Sequence, residues 1–386
     1  MKNLTKTLFF AAIILAFAAC EPTNLPETTI GFSQTNTDSI VYVKVNAELN
    51  FSVSVDVTNP VGNTTFEAEM PEWLTLTSSG NTATFKGTPT EIGLYSFLLT
   101  ATNNNETATQ KVVIAATTAT TEARTILLEK FTGDQCVYCP WGADEITAGI
   151  EGNENRVIIV AHHVGFNEDK YTIAASRPLR FFYGSGGTYA PAAMLDRTII
   201  RGTIPVMGTS YVTKPRINTQ LNKPSYVKID IETTYNAATK ELRVDVSGIL
   251  GNYYPNAKLN VYIIQEGLTG NQIGVVDAEG NYVTAAQYNS GTPAQSGTIQ
   301  NYPHDHALRA TLSGNWGDAF DVQIGEFSKS YTYTMPDNIR GVQNIDIPTD
   351  INNMYVVVFV ADYITNTNEN LGKSEVHNAA IKKIIE

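Results

Sequence analysis

The stretch FTGDQCVYCPWG (Phe131–Gly142) constrains this chain more than any other. It sets two cysteines, Cys136 and Cys139, between a compact apolar run, TILLEKF, and a segment able to form a helix, PWGADEITAGI (Pro140–Ile150). A second apolar run, RVIIVAHHVG, comes next. Continuous apolar strands separated by helices belong to a sheet covered on both faces, with parallel crossovers. A Cys-x-x-Cys at such a strand-to-helix corner has a physical logic. The helix N-terminus offers unpaired N–H groups and a partial positive charge, which stabilise a thiolate and lower the first cysteine's pKa. The two-residue gap puts the second sulfur one helical turn away, within disulfide reach. Pro140 fits early in the helix, where a missing N–H costs little.

Three chemistries are open to this pair: a working redox couple, half of a metal site, or a static disulfide. Zinc needs four ligands, and the candidates to complete a set are few. His162 and His163 are adjacent and point to opposite faces of a strand. His304-Asp305-His306 reads as a polar loop entering the strand ALRATL. Metal therefore ranks last. A static disulfide across three residues closes a very small loop and contributes little stability, which tilts the reading toward redox use. The chain carries no P-loop, dinucleotide fingerprint, Ser/His/Asp arrangement or paired carboxylates, so no cofactor is implied.

Strand, Cys-x-x-Cys, helix and strand together resemble the thioredoxin fold. That resemblance implies Cys136 as nucleophile and Cys139 as resolving thiol. It also implies a cis-proline loop beside the pair, at Ala190-Pro191 in GTYAPAAML. Two positions depart from the pattern. The strand acid six residues before the first cysteine is Lys130, with Glu129 beside it, and the aromatic before that cysteine is Gln135. Glu129 can take the acid's place only in a different strand register.

The N-terminus reads as an export signal. Lys2 and Lys6 precede an apolar run from Leu8 to Ala19, too short for the ~20 residues of a spanning helix. Ala18 and Ala19 before Cys20 resemble the lipobox of bacterial lipoproteins, with Phe17 where leucine is more usual. This implies cleavage before Cys20 and lipid on its sulfur, so the membrane is an expected partner. Residues 20–29 read as a polar tether, and the chain beyond them is expected outside the cytoplasm, where disulfides persist. The formal charge is −12, and removal of the two leader lysines makes it −14. No basic cluster stands out beyond the leader, which argues against nucleic acid as a partner.

A chain of 386 residues accommodates two or three domains, and 42% hydrophobic content is ordinary for globular ones. The expected class is multidomain α/β plus all-β. Residues 30–116 alternate in the manner of a β-sandwich. They resemble bacterial immunoglobulin-like modules through Pro71-Glu72-Trp73-Leu74, Gly87-Thr88-Pro89 and Gly93-Leu94-Tyr95-Ser96-Phe97, with Trp73 as a core plug. Residues 117–123 read as a linker and 124–222 as a thioredoxin-like domain. Strand-like segments over 223–386 predict a second sandwich. Within that part, Arg309 and Trp316 in HDHALRATLSGNWGD are the candidates for a binding edge, weighed against simple packing.

LLEKFTGDQCVYCPWG, VAHHVG, HDHALRATLSGNWGD and MYVVVFVADYITN together are similar to the outer-membrane-protein-28-related lipoprotein family of Gram-negative anaerobes. The most specific part is Glu129, Phe131, Thr132, Gly133, Cys136, Cys139 and Pro140. The resemblance runs from Arg124 to the C-terminus. It implies a lipid-anchored protein at the outer membrane, facing the periplasm or the cell surface. Two functions are compatible with it: a thiol–disulfide oxidoreductase or redox-assisted folding factor acting on protein thiols or disulfides, or a non-enzymatic adhesion or binding lipoprotein whose disulfide braces a loop.

Overall fold

The computed structural model describes residues 27–33, 40–365 and 367–385. They divide into two compact units. The first comprises residues 50–87 and 97–112 with the residues before 40; the second comprises 113–386 with 40–49 and 88–96.

Among the described residues, eight strands make up the N-terminal region: β1 (Thr29–Phe32), β2 (Ile40–Lys44), β3 (Leu49–Thr58), β4 (Thr65–Ala68), β5 (Leu74–Ser79), β6 (Thr82–Gly87), β7 (Gly93–Asn103) and β8 (Glu106–Thr117). They form two four-stranded sheets, ordered β1-β3-β6-β5 and β2-β8-β7-β4. Alternation of inward apolar and outward polar residues drives this arrangement, and Phe85, Phe97, Leu99 and Val112 are buried. The rings of Phe85 and Phe97 meet at 5.6 Å. An N-terminal sandwich is present among the described residues; Trp73 is half-buried and its neighbour Leu74 is in the core.

The second unit runs β9 (Ile126–Phe131), α1 (Cys139–Ile150), β10 (Val157–His162), β11 (Ala192–Leu195), β12 (Met207–Gly208), α2 (Lys214–Leu221), β13 (Val227–Asn236), β14 (Glu241–Leu250), β15 (Ala257–Gln265), β16 (Thr269–Val276), α3 (Ala285–Asn289), β17 (Gln295–Pro303), β18 (Ala307–Thr311), β19 (Asp318–Ala319), β20 (Gly325–Thr334), β21 (Asn338–Arg340), β22 (Asp346–Pro348), β23 (Met354–Asp362) and β24 (Val376–Lys383). A nine-stranded sheet ordered β12-β11-β9-β10-β18-β15-β23-β24, with β19 on β15, forms its centre. β9 and β10 are parallel and joined through α1, whereas β11 runs antiparallel to β9.

This sheet corrects the expected separate sandwich over 223–386. β15, β18, β23 and β24 extend the sheet begun by β9 and β10, so the boundary expected near residue 222 falls inside one sheet. The reason lies in the burial of these strands. Val356–Ala361 is buried on every residue, as a strand covered on both faces must be, whereas β13 alternates as a one-sided strand does. A three-stranded sheet, β13-β14-β20, packs on one face, with Val244, Val246 and Phe327 in a common core with Val356, Val358 and Leu127. On the other face Ile146 and Ile150 of α1 and Ile217 of α2 cover Ile126, Leu128 and Ala193. The central part is thus mixed α/β, and the molecule is mostly β.

Candidate functional site

β9 ends at Phe131 and the chain turns before α1. Cys136 N–H donates to Gly133 O and Cys139 N–H to Cys136 O, each at 3.1 Å. These bonds curl the loop so that α1 starts at Cys139, with Pro140 in its first turn. Cys136 and Cys139 are joined as a disulfide with Cα atoms 5.4 Å apart. Both are buried, at 3% and 4% exposure, although Tyr138 between them is 57% exposed.

Pro191 lies where the sequence expectation placed it. The Ala190–Pro191 peptide is cis, immediately before β11. Its ring packs on the first turn of α1 at Gly142, where a Cβ would stand 2.4 Å from Pro191 Cβ and 3.0 Å from Thr209 Oγ1. Only glycine allows this approach of helix and loop. The cysteine pair, α1 and the cis-proline loop therefore form one packed corner.

The corner is covered. Gln272, on β16, donates its side-chain amide to Gly133 O and Cys136 O, both at 3.0 Å. Its neighbour Ile273 donates N–H to Asp134 O at 2.7 Å. Trp141 Nε1 donates to Val283 O at 2.8 Å, and the Trp141 ring contacts Tyr138 and Tyr288 at 5.3 and 5.4 Å. The β16–β17 hairpin and its connecting segment thus lie over the cysteine loop.

The acid expected beneath the pair is not supplied by Glu129. Side chains alternate along β9, so Lys130 shares the face of Ile126 and Leu128, toward α1, and Glu129 is on the opposite face. There Glu129 accepts Arg197 Nε and Nη2 at 2.8 and 2.9 Å, and His162 Nε2 lies 3.2 Å away. Burial alone would raise the Glu129 carboxyl pKa, but Arg197 and His162 outweigh it and hold it near 2. Burial lowers the His162 pKa despite Glu129. Arg197 also donates to Tyr262 Oη at 3.2 Å and lies over the rings of Phe182 and Phe359. Lys130 is pulled down by burial, against the carboxylates of Asp305 and Glu266.

His162 and His163 do point apart. His163 Nδ1 donates to Asp169 Oδ2 at 2.7 Å, and the same oxygen accepts Asp134 N–H at 2.8 Å, which pins the cysteine loop from below. Burial works to raise the Asp169 pKa, but His163 and the backbone donors bring it down. His304 joins this cluster, its ring 4.5 Å from Tyr171 and 5.6 Å from His163. Among the described residues no group of three or more His, Cys, Asp or Glu is arranged to hold a metal ion.

Arg309 and Trp316 do not form an exposed edge. Arg309 is 2% exposed and donates to Ile347 O at 2.9 Å, and burial lowers its pKa to about 10. Trp316 packs against Phe181, Phe182 and Tyr363. The sequence expectations missed Gln272, Asp169 and Arg197, none of which carries a local signal. Cys20 lies outside the described residues. Among the described residues no helix is long and apolar enough to cross a membrane.

Two family models match separate parts of the chain. Residues 32–117 match the family described as "Putative Ig domain", so the N-terminal sandwich is immunoglobulin-like. Among solved structures, HBP35 of Porphyromonas gingivalis is similar at 16% identity and a TM-score of 0.47, over 68% of this chain and 76% of that one. Titin domain M7 is similar at 9% identity and a TM-score of 0.20, over 24% of this chain and 97% of that one. No curated protein matches the chain. Residues 181–383, more than half of the 386, match the family described as "Outer membrane protein Omp28". With a disulfide-closed Cys-x-x-Cys ahead of that match and an immunoglobulin-like sandwich at its N-terminal side, this chain belongs to the outer membrane protein Omp28 family.

Proposed function

We propose that this is a lipid-anchored outer-membrane protein that works by binding, and that its Cys136–Cys139 disulfide is a structural clasp in a thioredoxin-type corner. The observation that carries this reading is the burial of both cysteines in a loop whose Cys136 carbonyl is held by Gln272. Thiol–disulfide exchange needs a thiolate to reach sulfur, and both cysteines are all but closed to solvent. Lys130 in place of the strand acid supports the same reading, because it removes the carboxylate that would move the resolving thiol's proton. The partner is a surface ligand or protein outside the cytoplasm. A reduction potential below about −300 mV is the expected result for a clasp. A potential well above that, together with a Cys136 thiolate present below pH ~8, is the result that defeats it.

A second reading, a thiol–disulfide oxidoreductase or redox-assisted folding factor, is favoured by one observation: Pro191 seated on Gly142, beside Cys139 at the head of α1. Cys136 is then the attacking thiol and Cys139 the resolving one. Catalysed reduction of a protein disulfide, lost in Cys136→Ser, supports this reading over the first. Anchoring through Cys20 is tested by fatty-acid labelling of cells; a label that persists in Cys20→Ala overturns it.

A further inference from the structure

The segment between β15 and β18 leaves and re-enters the central sheet at one point. β15 and β18 pair antiparallel through Gln265 and Ala307, and His304 N–H donates to Leu268 O at 2.7 Å. Everything from Leu268 to His304 therefore departs through a single two-stranded neck. The neck is fastened on its sheet side. Asp305 Oδ1 accepts Gly267 N–H at 2.7 Å, and Glu266 accepts both His306 N–H and His306 Nδ1, at 2.9 and 2.7 Å. Gly267 has φ +71°, a left-handed backbone that suits glycine and lets the chain turn away from β15. The His-Asp-His motif thus closes the neck on its sheet side.

Beyond the neck, β16 and β17 pair with each other in a separate two-stranded sheet. The segment is held to the rest of the unit by hydrogen bonds that converge on residues 133–144. These are Gln272 to Gly133 O and Cys136 O, Ile273 N–H to Asp134 O, Trp141 Nε1 to Val283 O, and Tyr282 Oη to Asp144 Oδ2 at 2.6 Å. Tyr171 Oη to Thr269 O adds a contact beside the neck. A two-stranded hairpin is at best marginally stable alone, so the docked position depends on these contacts. Leu268, Val275, Val276 and Val283 are buried as well, so opening breaks apolar contacts together with these bonds.

We infer that residues 268–304 form a hinged lid whose docking governs chemical access to the Cys136–Cys139 disulfide. The inference does not rest on whether the pair is a clasp or a working couple, since the lid sets exposure of the sulfurs in either case. Reduction by dithiothreitol reports that exposure. One reductant thiolate attacks a protein sulfur, forming a mixed disulfide and expelling the other protein sulfur as a thiolate. The reductant's second thiol, after losing its proton, closes on its own first sulfur and releases the remaining protein sulfur. The reductant ends as a cyclic disulfide and the protein as two thiols, with two electrons and two protons transferred.

The experiment measures, on the full chain, the rate of reduction by dithiothreitol alongside amide hydrogen exchange of residues 268–304. In the wild type, reduction is expected to be slower than in a short peptide carrying the same Cys-x-x-Cys, and to accelerate in step with lid exchange as urea is added below the unfolding range. Gln272→Ala is expected to speed both lid exchange and reduction about tenfold, and Trp141→Phe, which keeps the ring and loses the Val283 bond, in the same direction. The inference is overturned if Gln272→Ala quickens lid exchange without quickening reduction, or if the wild-type disulfide is reduced at the peptide's rate while lid amides stay protected. Should Gln272→Ala fail to fold, the wild-type comparison and Trp141→Phe decide alone. The lid stands or falls on rates, and the clasp on the reduction potential, so the two fail separately.

Discussion

Replacing Arg197 by methionine tests the buried centre of the sheet. Arg197 and Glu129 are 2% and 1% exposed, and their nitrogen and oxygen lie 2.8 Å apart. At an effective dielectric of about 20, unit charges at that distance attract by roughly 6 kcal/mol, offset by several kcal/mol per ion of lost hydration. Arg197→Met removes the attraction and leaves Glu129 buried with only His162 beside it, so a loss of about 3–5 kcal/mol is expected at pH 7. Glu129→Leu combined with Arg197→Met removes both charges and should recover most of that loss. Calorimetry is the assay, because it reads the stability change directly from the thermal transition. The pH dependence gives an independent check. The Glu129 carboxyl titrates near 2 in the folded chain against an ordinary value of 4.5. Its contribution is therefore fully present above pH ~4.5 and is lost as pH falls toward 2, about 3 kcal/mol in all. The penalty of Glu129→Gln should shrink by that amount across the same window. A penalty that is the same at pH 7 and pH 2.5, or a cost below 1 kcal/mol for Arg197→Met, refutes an ionised buried pair.

The corner and the hinge each give a further expected outcome. Gly142→Ala puts a methyl group 2.4 Å from Pro191 Cβ, so a thermal shift equivalent to about 1–3 kcal/mol is expected in the second unit; an unshifted midpoint contradicts the close packing. Burial lowers the His304 pKa to about 3, against an ordinary value of 6.5, so stability is lost as pH falls from 6.5 toward 3. His162 adds loss in the same direction below 6.5. His304→Leu should flatten the pH profile of the thermal midpoint between pH 7 and 4, and an unchanged slope counts against a neutral, buried imidazole.

The corner was legible because its signals are local. An apolar strand, two cysteines, a proline and a helix succeed one another within Ile126–Ile150, and each constrains its neighbour. The alternation of strand side chains already separated Glu129 from Lys130; the partners of each come from the end of β10, the turn after β11 and the neck between β15 and β18, far along the chain. MYVVVFVAD carried a signal of its own, since a run with no polar alternation belongs in the middle of a covered sheet and not in one half of a free-standing sandwich. Arg197 resembles any surface arginine in sequence. Its burial is decided by Glu129, 68 residues earlier, and by two aromatic rings from separate elements.

Gln272 is the instructive case. Its contacts to the cysteine loop span 136 to 139 residues, and no periodicity within TGNQIGVV marks that position. Local sequence assigns the sulfurs the environment of a helix N-terminus, which favours a reactive thiolate. The hairpin changes which physical term decides reactivity. The helix end acts on the energy of a thiolate once formed, whereas the lid acts on whether a reductant reaches the sulfur at all. The second comes first in time. On the inferred lid, a corner with the helix-end environment of a reactive thiolate, though without the strand acid at Lys130 or the aromatic at Gln135, is closed to a reductant while Gln272 stays seated on the Cys136 carbonyl, and its reactivity then follows the neck at Gly267 and His304.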